Sequence, residues 1–155
     1  MEKVYLINGP NLNMLGKREP EIYGKTTLGQ IVRVLKMLSR KRGFRIKHFQ
    51  SNHEGKIIDK IHSIANKGFK GLIINPGAFT HYSYAIRDAI KASGLKTVEI
   101  HLSNIDKRED FRKISVIKEV CIAQIKGLGP TGYLKALEAL LDAKDEESAG
   151  SKSEL

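Results

Sequence analysis

The chain has no tryptophan and a single cysteine, Cys121. One cysteine excludes an intrachain disulfide and any cysteine-based zinc cluster. No apolar run approaches the ~20 residues needed to cross a bilayer, and the opening Met1-Glu2-Lys3-Val4-Tyr5 lacks the basic-then-apolar plan of a signal peptide. The expectation is therefore a cytoplasmic protein with no membrane partner. Proline and glycine, at four and fourteen residues, are too few for a low-complexity body. What is present is aliphatic residue and charge: 155 residues, enough for one domain, with 27 basic against 17 acidic residues and a net charge of +10. Residues 142–155 hold five acids and two bases, so the preceding body carries +13. Such a surface suits nucleic acid, a membrane or small anions, but the lysines are scattered and form no single stripe.

Apolar segments alternate with helix-like ones. Val4 to Ile7 reads as a buried strand, and Leu28, Ile31, Val32, Leu35 and Leu38 repeat at helical spacing up to a stop at Gly43. Phe44, Ile46 and His48 alternate with basic residues, as on a half-exposed edge strand. Ile57, Ile61 and Ile64 form a second helical stripe, and Leu72-Ile73-Ile74 a central strand. A third helix is expected from His81 to Ala92, a fourth strand over 97–101, a shorter helix from Glu109 to Lys118, a fifth strand from Val120 to Ile125, and a last helix through Leu141. Alternation of this kind gives an α/β three-layer sandwich around a parallel sheet. Five units fit the flavodoxin-like strand order 2-1-3-4-5, with one domain over 1–142 and a polar, disordered tail over 143–155.

Ligands of such sheets bind beyond the carboxyl ends of the strands. Those ends carry Asn8-Gly9-Pro10-Asn11, Gln50-Ser51-Asn52-His53, Asn75-Pro76-Gly77, and Glu99-Ile100-His101 with Ser103 and Asn104. Each alone is an ordinary turn; together they suit a site that reads a small, hydroxyl-rich ligand. Glu99 and His101 share one face of their strand, either as a general acid with its supporting carboxylate or as a plain ion pair. Residues 16–24 form a charged loop with glycines at both ends that permit lid motion. In it Arg18 could favour the phenolate of Tyr23, although a solvated loop explains the same residues. His81 and Asp88 are seven apart on the expected third helix and, with Arg112, could bind hydroxyls or a carboxylate. Gly127-Leu128-Gly129-Pro130-Thr131-Gly132 matches the dinucleotide pattern G-x-G-x-x-G. No strand follows with a ribose-binding acid, so a tight turn is the simpler reading. A flavodoxin-like nucleotide or nucleic-acid binding module is the competing function. His48, His53 and His62 match no zinc motif, no metal site is expected, and Cys121 reads as core.

Taken in order, these segments resemble the type II 3-dehydroquinate dehydratases over about residues 4–141. The motifs are Ile7-Asn8-Gly9-Pro10-Asn11-Leu12-Asn13-Met14-Leu15-Gly16, Arg18-Glu19-Pro20, Tyr23-Gly24, Phe49-Gln50-Ser51-Asn52, Glu54-Gly55, Ile74-Asn75-Pro76-Gly77-Ala78, Thr80-His81, Glu99-Ile100-His101-Leu102-Ser103-Asn104, Arg108-Glu109-Asp110-Phe111-Arg112 and Gly132-Tyr133. The resemblance implies a flavodoxin-like fold without flavin or any other cofactor. It also implies syn elimination of water from 3-dehydroquinate through an enolate, a step of the shikimate pathway. Tyr23 would take the C2 proton with Arg18 holding its phenolate, and Asn11 would stabilise the enolate through a water. His101, supported by Glu99, would protonate the departing hydroxyl. Leu102 (backbone) and Ser103 would hold the carboxylate, and Asn75, His81 and Arg112 would read hydroxyls. Asp88 would reach a neighbouring subunit in a dodecamer of trimers. Tyr82 and Tyr84 depart from the smaller residues common in that family.

Overall fold

The computed structural model describes residues 1–17 and 19–150; the side chains of Ile22, Tyr23 and residues 144–150 lie outside the description. Five strands, β1 (Glu2–Asn8), β2 (Phe44–Gln50), β3 (Phe69–Asn75), β4 (Thr97–His101) and β5 (Ala123–Lys126), pair all-parallel in the order β2-β1-β3-β4-β5. The expected order is thus the observed one, with β2 at an edge. The helices are α1 (Pro20–Tyr23), α2 (Leu28–Lys41), α3 (Glu54–Ile64), α4 (Tyr84–Ser93) and α5 (Gly132–Gly150).

Strand periodicity explains the three layers. Val4 and Leu6 of β1 point to one face and pack with Leu28, Ile31, Val32 and Leu35 of α2 and Leu137 and Leu140 of α5. Tyr5 and Ile7 point to the other and pack with Ile57, Ile61 and Ile64 of α3 and Ile86 and Ile90 of α4. Helix α2 begins in a capping box. Thr27 accepts from the Gln30 backbone N–H at 3.2 Å, and Gln30 accepts from the Thr27 N–H at 2.9 Å.

Four expected boundaries move. The third helix starts at Tyr84, not His81, because Ser83 caps it by accepting from Ile86 N at 3.0 Å; Gly77–His81 forms a separate 3-10 turn. The expected helix over 109–118 is two short 3-10 turns, Asp110–Arg112 and Lys118–Val120. Between them Val116 donates its N–H to Thr80 O at 2.8 Å, a tertiary bond that diverts the backbone from helical pairing. The fifth strand begins at Ala123, and Cys121 is half-buried, its thiol pushed up to about 12 by burial. Helix α5 continues to Gly150, past the point where the sequence suggests a tail; residues 151–155 lie outside the described residues. Among the described residues no helix is long and apolar enough to cross a membrane.

Candidate active site

The strand ends build the site in two tiers. The lower tier is backbone. Gly9 donates its N–H to Asn75 O at 2.7 Å, and Ser51 donates to Asn8 O at 3.0 Å, so β1, β2 and β3 stay tied beyond the sheet. A Cβ at Gly9 would stand 2.6 Å from Pro76 O, so only glycine permits this approach. Asn11 sits in the left-handed region at φ 67°, which asparagine tolerates, and donates its N–H to Asn52 Oδ1 at 3.0 Å. The Gln50 amide donates to the same oxygen at 3.1 Å and to Gly9 O at 3.1 Å. The β2 exit therefore braces the β1 loop and does not line the pocket, unlike the rim expected from four converging strand ends.

The upper tier is the pocket itself, lined by Asn11, Asn75, His81, His101, Leu102, Ser103, Arg108 and Arg112 above apolar Leu12, Leu15 and Ile105. Among the described residues its lining holds two arginines and two histidines and no carboxylate, which suits an anionic ligand. His81 Nδ1 lies 2.7 Å from Ile114 O, so that nitrogen carries the proton and Nε2 is left as an acceptor. Burial lowers its pKa, with the positive field of His101 and Arg112 acting the same way, and so favours the neutral ring. The Ser103 hydroxyl accepts from Arg108 at 3.5 Å, and Arg112 pairs with Glu109 at 3.1 Å.

His101 Nε2 stands 2.6 Å from Glu99 Oε1, so the imidazole donates to a carboxylate with no solvent exposure. Three further side chains donate to that carboxylate: Thr80, Ser115 at 2.8 and 3.0 Å, and Gln124 at 3.1 Å. Burial alone would push the Glu99 carboxyl up; the His101 bond and charge, with the Thr80 and Ser115 hydroxyls, bring it below its ordinary value. The pair is thus a fixed charge and an oriented ring, as the shared strand face predicts.

Not every expected residue joins them. Asp88 is exposed midway along α4 and does not line this pocket; since His81 lies in the preceding 3-10 turn, the two share no helix face. Arg18 lies outside the described residues, and so does the side chain of Tyr23, whose backbone ends α1. Gly127 and Gly129, at φ 79° and 59°, form a strand-to-helix turn, and the Gly129 N–H donates to Leu102 O at 3.0 Å. The glycine-rich motif thus supports the β4 exit, and the nucleotide reading loses its main sequence feature. Sequence reasoning missed Arg108 as a lining residue and Thr80, Ser115 and Gln124 as the Glu99 cradle. Gln124 had a signal, being polar inside an apolar run and paired in register with Glu99.

The comparisons with known proteins point to a single family. Residues 2–141 match the family described as dehydroquinase class II. The 3-dehydroquinate dehydratase of Thermotoga maritima is 54% identical over 144 residues, covering 93% of this chain and 98% of that protein. That of Halothermothrix orenii is 53% identical over 142 residues, covering 92% and 95%. The crystal structure of type II dehydroquinase from Butyrivibrio crossotus superposes with a TM-score of 0.88 at 48% identity, covering 90% of this chain and 97% of that one.

Proposed function

Since the chain belongs to the class II dehydroquinase family, we propose that it removes water from 3-dehydroquinate to give 3-dehydroshikimate, by syn elimination through an enolate and without a cofactor. Tyr23, held as phenolate by Arg18, takes the C2 proton. The C–H electrons pass into the ring ketone, and Asn11 stabilises the resulting enolate through a water. The enolate then collapses, the C1–O bond breaks, and His101 gives its proton to the departing hydroxyl. The proton left on Tyr23 returns to His101 to reset the site.

The observation that carries this reading is the buried Glu99–His101 pair at the pocket's edge. With Nε2 committed to Glu99, Nδ1 is the ring nitrogen available to the ligand, and the carboxylate stabilises the imidazolium that must precede donation. Leu102 (backbone) and Ser103 take the substrate carboxylate beside Arg108, and Asn75, His81 and Arg112 read the ring oxygens. The positive pocket supports an anionic substrate.

The place of the reaction is the shikimate route to aromatic amino acids, in the cytoplasm. The assembly is a dodecamer of trimers in which Asp88 reaches a neighbour's site. Exposed Tyr82, Tyr84, Phe111 and Ile114 support burial against a second copy. The test is ultraviolet absorbance after 3-dehydroquinate is added to chelator-treated protein. The product is a conjugated enone and the substrate is not, so turnover appears as rising absorbance. Folded, oligomeric protein that gives no rise would refute the activity.

A further inference from the structure

Asn75 is tied to a chain of buried polar groups that the reaction itself does not use. Its Oδ1 accepts from the Gly77 backbone N–H at 3.1 Å. A backbone N–H can only donate, so this bond fixes which end of the amide is oxygen. The Nδ2 end then donates to the Tyr133 hydroxyl at 3.1 Å. That hydroxyl has one proton, which goes to Asn8 Oδ1 at 2.5 Å. The Asn8 amide in turn donates to His48 Nε2 at 3.0 Å. Each bond in the series joins one donor to one acceptor, and with the Gly77 N–H fixing the first, only one direction satisfies them all.

We propose that Tyr133, backed by Asn8 and His48, is a positioning residue that locks the Asn75 amide with its N–H toward the pocket, so that Asn75 reads a lone-pair-bearing oxygen of the ligand. The inference deepens the proposed function and rests on it for the identity of that ligand. The protonation states along the series agree with it. Burial pushes the Tyr133 phenol upward, so it remains a donor. Burial and the Lys36 charge hold His48 at about 4, so its Nε2 remains an acceptor. The four groups come from β1, β2, the end of β3 and the first turn of α5. Asn8, Asn75 and Tyr133 are buried, and His48 is half-buried on the edge strand. A buried polar series of this kind is costly unless complete, and complete it specifies one arrangement.

Removing the hydroxyl in Tyr133→Phe leaves one Asn75 Nδ2 proton and Asn8 Oδ1 without those partners, and frees the Asn75 amide to swing about the Gly77 bond that still holds its oxygen. The expected result is a KM about three- to tenfold higher with kcat nearly unchanged, the range one ordinary hydrogen bond carries. The decisive comparison repeats the substitution in an Asn75→Ala background, with both proteins verified as folded at the assay temperature. A positioning role predicts that the Tyr133 effect vanishes there. An equal rise in both backgrounds, or no rise in either, overturns the proposal. Calorimetric affinity for 3-dehydroshikimate gives the same comparison without turnover, so an inactive wild type would refute the proposed activity and leave this inference tested. If Tyr133→Phe does not fold, His48→Ala at the half-buried end answers instead. A KM rise of about twofold that disappears with Asn75→Ala supports the series, and an unchanged KM overturns it.

Discussion

Glu99→Gln is the substitution whose consequences the structure specifies most fully. Among the described residues four side chains donate to this carboxylate, which as an anion can only accept. The glutamine NH2 must take the place of one oxygen. At Oε1 it would face His101, Thr80 and Ser115; at Oε2 it would face Ser115 and Gln124. The second site costs less, because the Gln124 amide can turn to present its oxygen. The remaining bonds fall from charge-assisted to neutral strength, each losing about 1 kcal/mol. Release of a buried charge offsets part of that, and a net loss of about 2–4 kcal/mol follows, within the range for breaking buried pairs. For a chain of this size the melting temperature should drop by roughly 5–15 °C.

The activity should fall further than the fold. The glutamine oxygen left at Oε1 still accepts from His101 Nε2 and keeps the ring oriented, but the negative charge beside the proton donor is gone, and kcat should fall by about 10²–10⁴. Stability should also change its pH dependence. Native Glu99 titrates below its ordinary value of 4.5, so the unfolded chain binds the extra proton. The pair's contribution is therefore complete above the unfolded value and is lost as pH falls through the native one. Thermal melts from pH 7 downward, with absorbance assays of kcat, check all three. A variant with the wild-type kcat and the wild-type acid-side slope would refute the argument.

Tyr23→Phe and His101→Ala should each lose nearly all kcat and still bind substrate by calorimetry; full turnover in either would remove that residue from its role. Borohydride added with substrate should leave activity intact, and a trapped lysine adduct in the mass spectrum would contradict the enolate route. Gly9→Ala forces a Cβ to 2.6 Å from Pro76 O, backbone that cannot step aside. It should cost about 1–3 kcal/mol in denaturant melts and raise KM, and a neutral result would mean that the floor of the site is softer than described.

Periodic segments were legible from sequence because burial alone decides them. Leu72-Ile73-Ile74 could only be an interior strand, and the stripe Leu28 to Leu38 only one face of a helix. The segment 109–118 misled because its helical spacing is overridden by the Val116–Thr80 bond, which also delivers Ser115 to Glu99. Contacts of that kind join residues far apart in sequence and leave no local pattern. The Glu99–His101 pair was legible because strand alternation put both on one face. The Tyr133 series was not, since its members are separated by as many as 125 positions. Gln50 and Asn52 looked like ligand readers because bracing amides and binding amides have the same composition; only their partners distinguish them.

The backbone tie between Gly9 and Asn75 bears on temperature. The backbone of Asn75 owes its placement to main-chain bonds continuous with the central strands, which do not soften gradually on heating as side-chain packing does. Ligand affinity should then track a plain van't Hoff line and break only where the sheet itself melts, so the working range of the enzyme and the survival of its fold would end at the same temperature.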